Sequence, residues 1–350
     1  MSERATIIVI GAGPCGLAVG VAARAAGFSC VLLDKGPVVS AIERYPLNMT
    51  FFSTPDHLEL GGVPFVSIAD KPSRAEALNY YRRIVRHFDL DVRQYEEVTA
   101  VGRAGDGFTL RTRRHRGGDG EYRSDALVVA TGYFDTPNRL GVPGEQLPKV
   151  SHYFREPHLY FDQDVVVVGA GNSAIDAALS TWRAGARVTL VHRFEDFDPG
   201  VKPWVLPDIR NRVKAGEIAV RWESRILAIE TDRVRIGPAT ARPDGGGDPA
   251  PSPESGPGEW IPNDFVLAMT GFRPDPGLLL SLGAPVDPNS GVPEHDADTM
   301  ETPVPGLFIA GVLAAGFDAN RIFIQNGREH GGRIVRSLRM RFIDGVLQPE

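Results

Sequence analysis

The sequence predicts an α/β protein in which one strand–turn–helix–strand unit occurs twice, and two observations carry that prediction. The first is the stretch 6–35, TIIVIGAGPCGLAVGVAARAAGFSCVLLDK. Ile7 to Ile10 form a short branched apolar run suited to a strand covered on both faces. It ends in Gly11-Ala12-Gly13-Pro14-Cys15-Gly16, an Ala-rich segment at helical spacing follows, Gly27 breaks it, and a second apolar run from Cys30 to Leu33 ends at Asp34 and Lys35. The second observation is the same pattern 158 positions later, DVVVVGAGNSAIDAALSTWRAGARVTLVHR, in which Gly185 falls where Gly27 did. The expected architecture is two Rossmann-like dinucleotide-binding domains.

Each glycine of the first turn has a physical task. Gly11 allows the tight turn, Gly13 lets backbone approach a pyrophosphate, and Gly16 lets the helix sit close on its strand. The helix N-terminus that opens at Pro14 presents the free N–H groups of the residues after it to the phosphates. Asp34, 18 positions after Gly16, is placed to accept hydrogen bonds from an adenosine ribose. In the second turn, Gly169, Gly171, Asn172 and Ser173 repeat the pattern, with Ala174 as the small third residue. The strand end differs: His192 and Arg193 stand where the first copy has Asp34. A carboxylate there repels a 2′-phosphate, whereas His and Arg attract one. The second turn therefore reads as an NADPH site. An N-terminal turn with an acidic strand end is the usual FAD arrangement in such two-site chains, which assigns the first turn to FAD. Two unlike nucleotides in one chain suggest an electron pathway from NADPH through a flavin.

Composition sets the class. At 350 residues the length fits two domains, each with its own core. A net charge of −6 argues against a nucleic-acid surface. No apolar stretch approaches the ~18 residues needed to span a bilayer, and the first strand starts so near Met1 that no signal peptide is expected. Two cysteines make no disulfide framework. A cytoplasmic enzyme without a metal, acting on a small molecule and not at a membrane, is the simplest account. Oligomeric state is not set by the sequence, and a homo-oligomer is compatible with it.

The remaining elements follow in order. A loop from Ser40 to Pro55 carries Phe52 and Ser53, placed to cover a flavin ring and meet its ribityl chain. Ser73 to Glu76 is a capping box opening a helix over 75–88. Alternating strands are expected over 91–101, 107–114 and 121–124, with a Gly-rich turn at 117–120. A separate buried strand from Asp125 ends in Ala130-Thr131-Gly132, and Ala268-Met269-Thr270-Gly271 repeats that ending in the second unit. Residues 136–162, rich in Pro and Gly, suit a crossing between domains. Lys202, just past the second turn, is a candidate phosphate contact. Residues 237–258 read as a surface loop joining two strands. A last buried strand over 306–311 ends at Gly311 beside the flavin, with Ala319 as a further contact, and a helix over 331–343 closes the fold. The expected domains are 1–145 with 280–350 for FAD, and 155–275 inserted for NADPH.

With these residues in view, the chain resembles the two-dinucleotide-domain, thioredoxin reductase-like flavoproteins, and among them the bacillithiol disulfide reductase (YpdA-type) family. The resembling stretches are Gly13-Pro14-Cys15-Gly16, Arg44-Tyr45-Pro46, Thr50-Phe51-Phe52-Ser53, residues 171–178, Val201-Lys202-Pro203-Trp204 and residues 319–328. They span nearly the whole chain, and the cysteine inside the first turn and the Ile-Phe-Ile-x-Asn-Gly-Arg run at 322–328 are much more specific than the glycine signatures. The resemblance implies FAD, NADPH and reduction of a low-molecular-weight disulfide in redox homeostasis. Two departures from neighbouring families matter. Thioredoxin reductases carry a C-x-x-C pair in the NADPH domain, but no cysteine lies between Asp164 and Phe272. Many relatives place an acid after the last strand's glycine, where Val312 stands.

Cys15 is the candidate catalytic residue. The helix dipole lowers its thiol pKa and a bound pyrophosphate raises it, and sequence alone leaves that competition open. An internal disulfide with Cys30 fails on reach, because the intervening helix of about 12 residues is ~18 Å long while bridged Cα atoms lie within about 7 Å. Cys15 is therefore either the partner of a mixed disulfide with substrate or a small residue fitting a tight turn. Two other functions stay open: an NADPH-dependent flavin monooxygenase, and a flavoprotein passing electrons to a protein carrier. Against the monooxygenase, the F-x-G-x-x-x-H motif before the second unit is absent, since Gln146 and Pro148 precede His152.

Overall fold

The computed structural model describes residues 3–239, 257–318 and 321–341. It divides into two compact units, Met1–Thr136 with Phe272–Glu350, and Pro137–Gly271.

In the first unit, β1 (Glu3–Ile10), α1 (Pro14–Ala25) and β2 (Cys30–Asp34) form the strand–helix–strand of the first copy. A short α2 (Ser40–Glu43) precedes α3 (Arg74–His87), and β3 (Asp91–Gln94), β4 (Glu96–Ala104), β5 (Gly107–Arg114) and β6 (Asp119–Val129) follow. The sheet order is β3-β2-β1-β6-β5-β4. β1 runs parallel to both β2 and β6, so Ile7 to Ile10 are shielded on both faces and buried.

One expectation is corrected here. Residues 121–124 and the run from Asp125 are not separate strands but one, β6. Its first half alternates buried and exposed residues beside antiparallel β5, and its second half is buried without a break beside parallel strands. One strand thus satisfies two patterns because its neighbours change along its length.

α3 begins with the expected cap. The Ser73 hydroxyl accepts the Glu76 N–H at 3.2 Å, and the Glu76 carboxylate accepts the Ser73 N–H at 2.7 Å.

The second unit carries β7 (Val150–Ser151), β8 (Asp164–Val168), α4 (Asn172–Arg183), β9 (Arg187–Val191), α5 (Leu206–Lys214), β10 (Ala219–Arg221), β11 (Ser224–Ile229), β12 (Arg233–Pro238), β13 (Glu259–Pro262) and β14 (Phe265–Ala268). Five parallel strands are ordered β10-β9-β8-β14-β7, and β11-β12-β13 make a separate antiparallel sheet. Alternate valines of β8 serve different cores. Val165 and Val167 pack with Ala174, Ile175 and Ile209 of the helices, whereas Val166 and Val168 pack with Ile226, Val234 and Ile236 of the small sheet. Residues 137–162 are more than a crossing, because they supply β7 and the buried Val142, Phe154 and Tyr160. The surface loop expected over 237–258 falls mostly on 240–256, outside the described residues.

The chain then returns to the first unit with α6 (Gly277–Ser281), β15 (Leu307–Ile309), α7 (Ile324–Gly327) and α8 (His330–Arg339). β15 lies parallel to the second half of β6.

Replacing Ser73 by Ala should remove the α3 cap and cost about 1 kcal/mol, read as a melting point roughly 2–4 °C lower. The Ser73 and Ile68 groups hold the Glu76 carboxyl down to about 2, with burial opposing. Its stabilisation is therefore present above an unfolded-state pKa of about 4.3 and fades as acid is added toward that folded value. Urea titrations of wild type and variant at neutral pH and at pH 3 should differ by less at the lower pH.

Candidate active site: two unlike nucleotide turns and a buried thiol

Both glycine turns are built on the same backbone collision. Gly11 has φ +110°, and a Cβ there would run into the Ala130 carbonyl oxygen. Gly169 has φ +119°, and its Cβ would lie 2.5 Å from the Met269 carbonyl oxygen. Only glycine meets both conditions. The Ala130-Thr131-Gly132 and Met269-Thr270-Gly271 endings therefore press directly on the turns of their own units. Gly13 has no atom within 4 Å of its would-be Cβ, and Gly171 has only the Asp198 carboxylate, at 3.9 Å. Both second glycines face open space, as backbone approach by a pyrophosphate requires. Gly16 packs against the Gly11 backbone, and Ala174 is fully buried, which is the tight helix seat expected at the third position.

The helix starts support the same fit. Neither α1 nor α4 has a side-chain cap or an acidic residue in its first turn, in contrast to the self-capped α3. Their first N–H groups are left for another acceptor. Asp34 is buried at the end of β2, with one oxygen accepting the Ala12 N–H at 2.7 Å and the other the Gly36 N–H at 2.8 Å. These bonds fix the carboxylate while each oxygen keeps a lone pair for a ribose hydroxyl. The residues present thus fit an adenine dinucleotide at each turn.

The other candidates are placed as follows. Lys35 reaches Asp135 at 2.9 Å, and Arg44 binds the same carboxylate, so its charge is shared with a protein partner. Phe52 is partly exposed beside the buried Phe51. Thr131 is exposed and Gly132 has a positive φ. Asn172 spends its side chain on protein: it donates to the Gly200 carbonyl at 3.1 Å and accepts the Lys202 N–H at 2.9 Å, pinning the loop that carries Lys202. Ser173 is exposed on the first turn of α4. The Gly271 carbonyl accepts the Asn138 N–H at 2.9 Å. Ala319 lies outside the described residues. His152 is buried with Nε2 3.0 Å from Glu145, whose oxygens also accept the Leu140 and Gly141 N–H groups, a structural role inside the second unit.

At the end of β9, His192 sits edge-on to Phe194 and Trp222. Burial and the Arg193 guanidinium lower its pKa, against Asp198, so the ring is neutral at neutral pH. The positive charge at this strand end belongs to Arg193, which is exposed and lies over the Phe194 ring.

Cys15 is partly buried, and desolvation pushes its thiol up to about 12, opposite to the pull of the helix dipole. The sulfur is walled by two glycines: a Cβ on Gly311 would lie 3.1 Å from Sγ and one on Gly327 only 2.8 Å. Cys15 and Cys30 are both free thiols. Sequence reading missed four residues at these sites. Gly327 falls within residues 319–328, where nothing local marks it as a wall for a sulfur, and Asp135, Asn138 and His330 carry no signal beyond residue type.

The geometry meets known proteins at this point. Residues 8–311 match the model of the pyridine nucleotide-disulphide oxidoreductase family. The chain is 41% identical over 337 residues to bacilliredoxin reductase Bdr of Bacillus subtilis, covering 95% of this chain and 97% of that one. The chain belongs to the YpdA-type bacillithiol disulfide reductase family. The solved bacillithiol disulfide reductase Bdr (YpdA) from Bacillus cereus superposes with a TM-score of 0.90 at 41% identity, covering 97% of this chain and all of that one. The Staphylococcus aureus protein of the same name gives 0.87 at 39%, covering 97% and 99%. Two-nucleotide architecture and oxidoreductase class follow from this membership.

A thiol held near 12 has no thiolate plateau in the working range. Alkylation of Cys15 by iodoacetamide, followed by peptide mapping, should climb about tenfold per pH unit from pH 7 to 10. A plateau below pH 9 would show that the sulfur is less shielded than its neighbours indicate.

Proposed function

We propose that the chain is an NADPH-dependent FAD oxidoreductase that reduces a low-molecular-weight disulfide, bacillithiol disulfide being the substrate named for its relatives. The observation that carries this reading is the repeated turn with unlike strand ends, Asp34 in one copy and His192-Arg193 in the other. FAD is assigned to the first unit, on Gly11, Gly13, Pro14, Cys15, Gly16 and Asp34. NADPH is assigned to the second, on Gly169, Gly171, Ala174 and Arg193. Lys35, paired with Asp135, stays in the proposed FAD site, and Asn172, which also holds the 200–202 loop, stays in the proposed NADPH site. A reducing cytoplasmic setting suits an NADPH-dependent disulfide reductase.

Bound there, FAD supplies two-electron transfer between a nicotinamide hydride and a disulfide. The chain's own residues prepare for it. The first-turn N–H groups of α1 and α4 take up pyrophosphate charge, and Asp34 orients the ribose of a nucleotide lacking a 2′-phosphate. Arg193 receives a 2′-phosphate, with His192 neutral beside it. Cys15 meets the disulfide as a thiol: Sγ bonds to one substrate sulfur, the S–S bond breaks, and the other sulfur leaves with the proton Cys15 gives up. Cleavage of the resulting mixed disulfide takes two electrons and two protons, releases the second substrate half as a thiol and returns Cys15 to the thiol; the electrons are those that FAD would supply when bound.

A second reading is favoured by one comparison, since the Bacillus subtilis relative is named for a protein acceptor, bacilliredoxin. The acceptor panel separates the two. With NADPH and stopped-flow detection, low-molecular-weight disulfides should reoxidise the reduced protein, and reoxidation only by a carrier protein would transfer the activity to the second reading. In Cys15→Ala, disulfide turnover should fall by about 100-fold or more, while flavin reduction by NADPH persists. Unchanged turnover would remove Cys15 from the reaction. Arg193→Gln should cut the preference for NADPH over NADH roughly 10- to 100-fold, measured as the ratio of the two kcat/KM values.

A further inference from the structure

Three segments of the first unit that are distant in sequence meet at the Cys15 sulfur. Cys15 opens α1, Gly311 follows β15, and Gly327 ends α7. The Gly311 turn is held from behind by His330, the first residue of α8. The Gly311 N–H donates to His330 Nδ1 at 3.1 Å, and the ring is buried, 6% exposed. The next residue, Gly331, seats α8 on α1, where a Cβ would lie 2.6 Å from the Ala18 carbonyl carbon and oxygen. α8 therefore grips α1 through Gly331 and the β15 turn through His330, and Cys15, in the first turn of α1, meets the gripped β15 turn at Gly311.

We propose that His330 is a positioning residue for Cys15: by accepting the Gly311 N–H, it holds the Gly311 turn against the sulfur and fixes where the thiol meets a disulfide. The proposal rests on the reading of Cys15 given above. The ring's protonation state suits the task. Burial first, then Arg333 and His295, push the imidazole down to about 4, so Nδ1 keeps its lone pair across the physiological range. A ring without that lone pair would leave the Gly311 N–H buried with no acceptor. The turn would then relax away from Cys15, and because Gly311 lies against Sγ, the thiol would gain both access and freedom.

The test compares His330→Leu, which removes the acceptor, with His330→Asn, whose side-chain oxygen occupies the same δ position as Nδ1. It uses the full-length protein as isolated. Alkylation of Cys15 by iodoacetamide, read by peptide mapping, should be about fivefold or more faster in His330→Leu and within about twofold of wild type in His330→Asn. Disulfide kcat/KM should fall about tenfold in the leucine variant and recover in the asparagine variant, with flavin reduction by NADPH alike in all three. If the leucine variant does not fold, His330→Gln replaces it, because its acceptor stands one methylene too far out. Equal alkylation and turnover in the acceptor-bearing and acceptor-lacking variants would overturn the positioning role and leave the reading of Cys15 intact. Undiminished disulfide turnover in Cys15→Ala, alongside altered alkylation in His330→Leu, would overturn the catalytic reading and leave the contact.

Discussion

The structure depends on a contact between two pieces of backbone. In each unit the first glycine of the turn is pressed against a carbonyl oxygen just past the end of a neighbouring parallel strand, Ala130 in one case and Met269 in the other. No side chain fits between them, so the turn comes out of the sheet at one angle, and the helix that follows points its bare N–H groups at one place. The phosphate cradle and the third glycine's tight helix seat both follow from that angle. The small-residue endings Ala-Thr-Gly and Met-Thr-Gly belong to the same constraint, since their backbones form the other half of the contact.

On this shared chassis the two copies differ where the ligand's identity is read. After β2 an aspartate, fixed by two backbone N–H groups, leaves lone pairs for ribose hydroxyls. After β9 a neutral imidazole sits edge-on to aromatic rings and a single arginine supplies the charge. On the proposed NADPH assignment, the charge at this strand end therefore rests on one arginine, and the histidine contributes packing rather than a second positive charge.

Much of this was legible in the sequence because it is local. Ile7 to Asp34 and Val165 to Arg193 announce strand, turn and helix through neighbours in the chain, and the Ser73 and Glu76 cap is a four-residue signal. What could not be read there is long-range. That β6 is one strand depends on β5 and β15 taking up different halves of it. That Lys35 is shared with Asp135, and Asn172 with the 200–202 loop, depends on segments brought together only by folding. The surroundings of Cys15 were open for the same reason: its helix pulls toward a thiolate, but Gly311 and Gly327, some 300 residues on, close against the sulfur and oppose its ionisation.

The bare starts of α1 and α4 have a further consequence. A helix whose first amides lack any internal acceptor has an electrostatic demand that its ligand meets, so the occupied form is favoured over the unfolded chain by RT ln(1 + [L]/Kd) for each site. Cellular supply of flavin and nicotinamide would then govern how long the polypeptide survives proteolysis as well as how fast it turns over. A shortage of either nucleotide would lower the enzyme's abundance along with its rate.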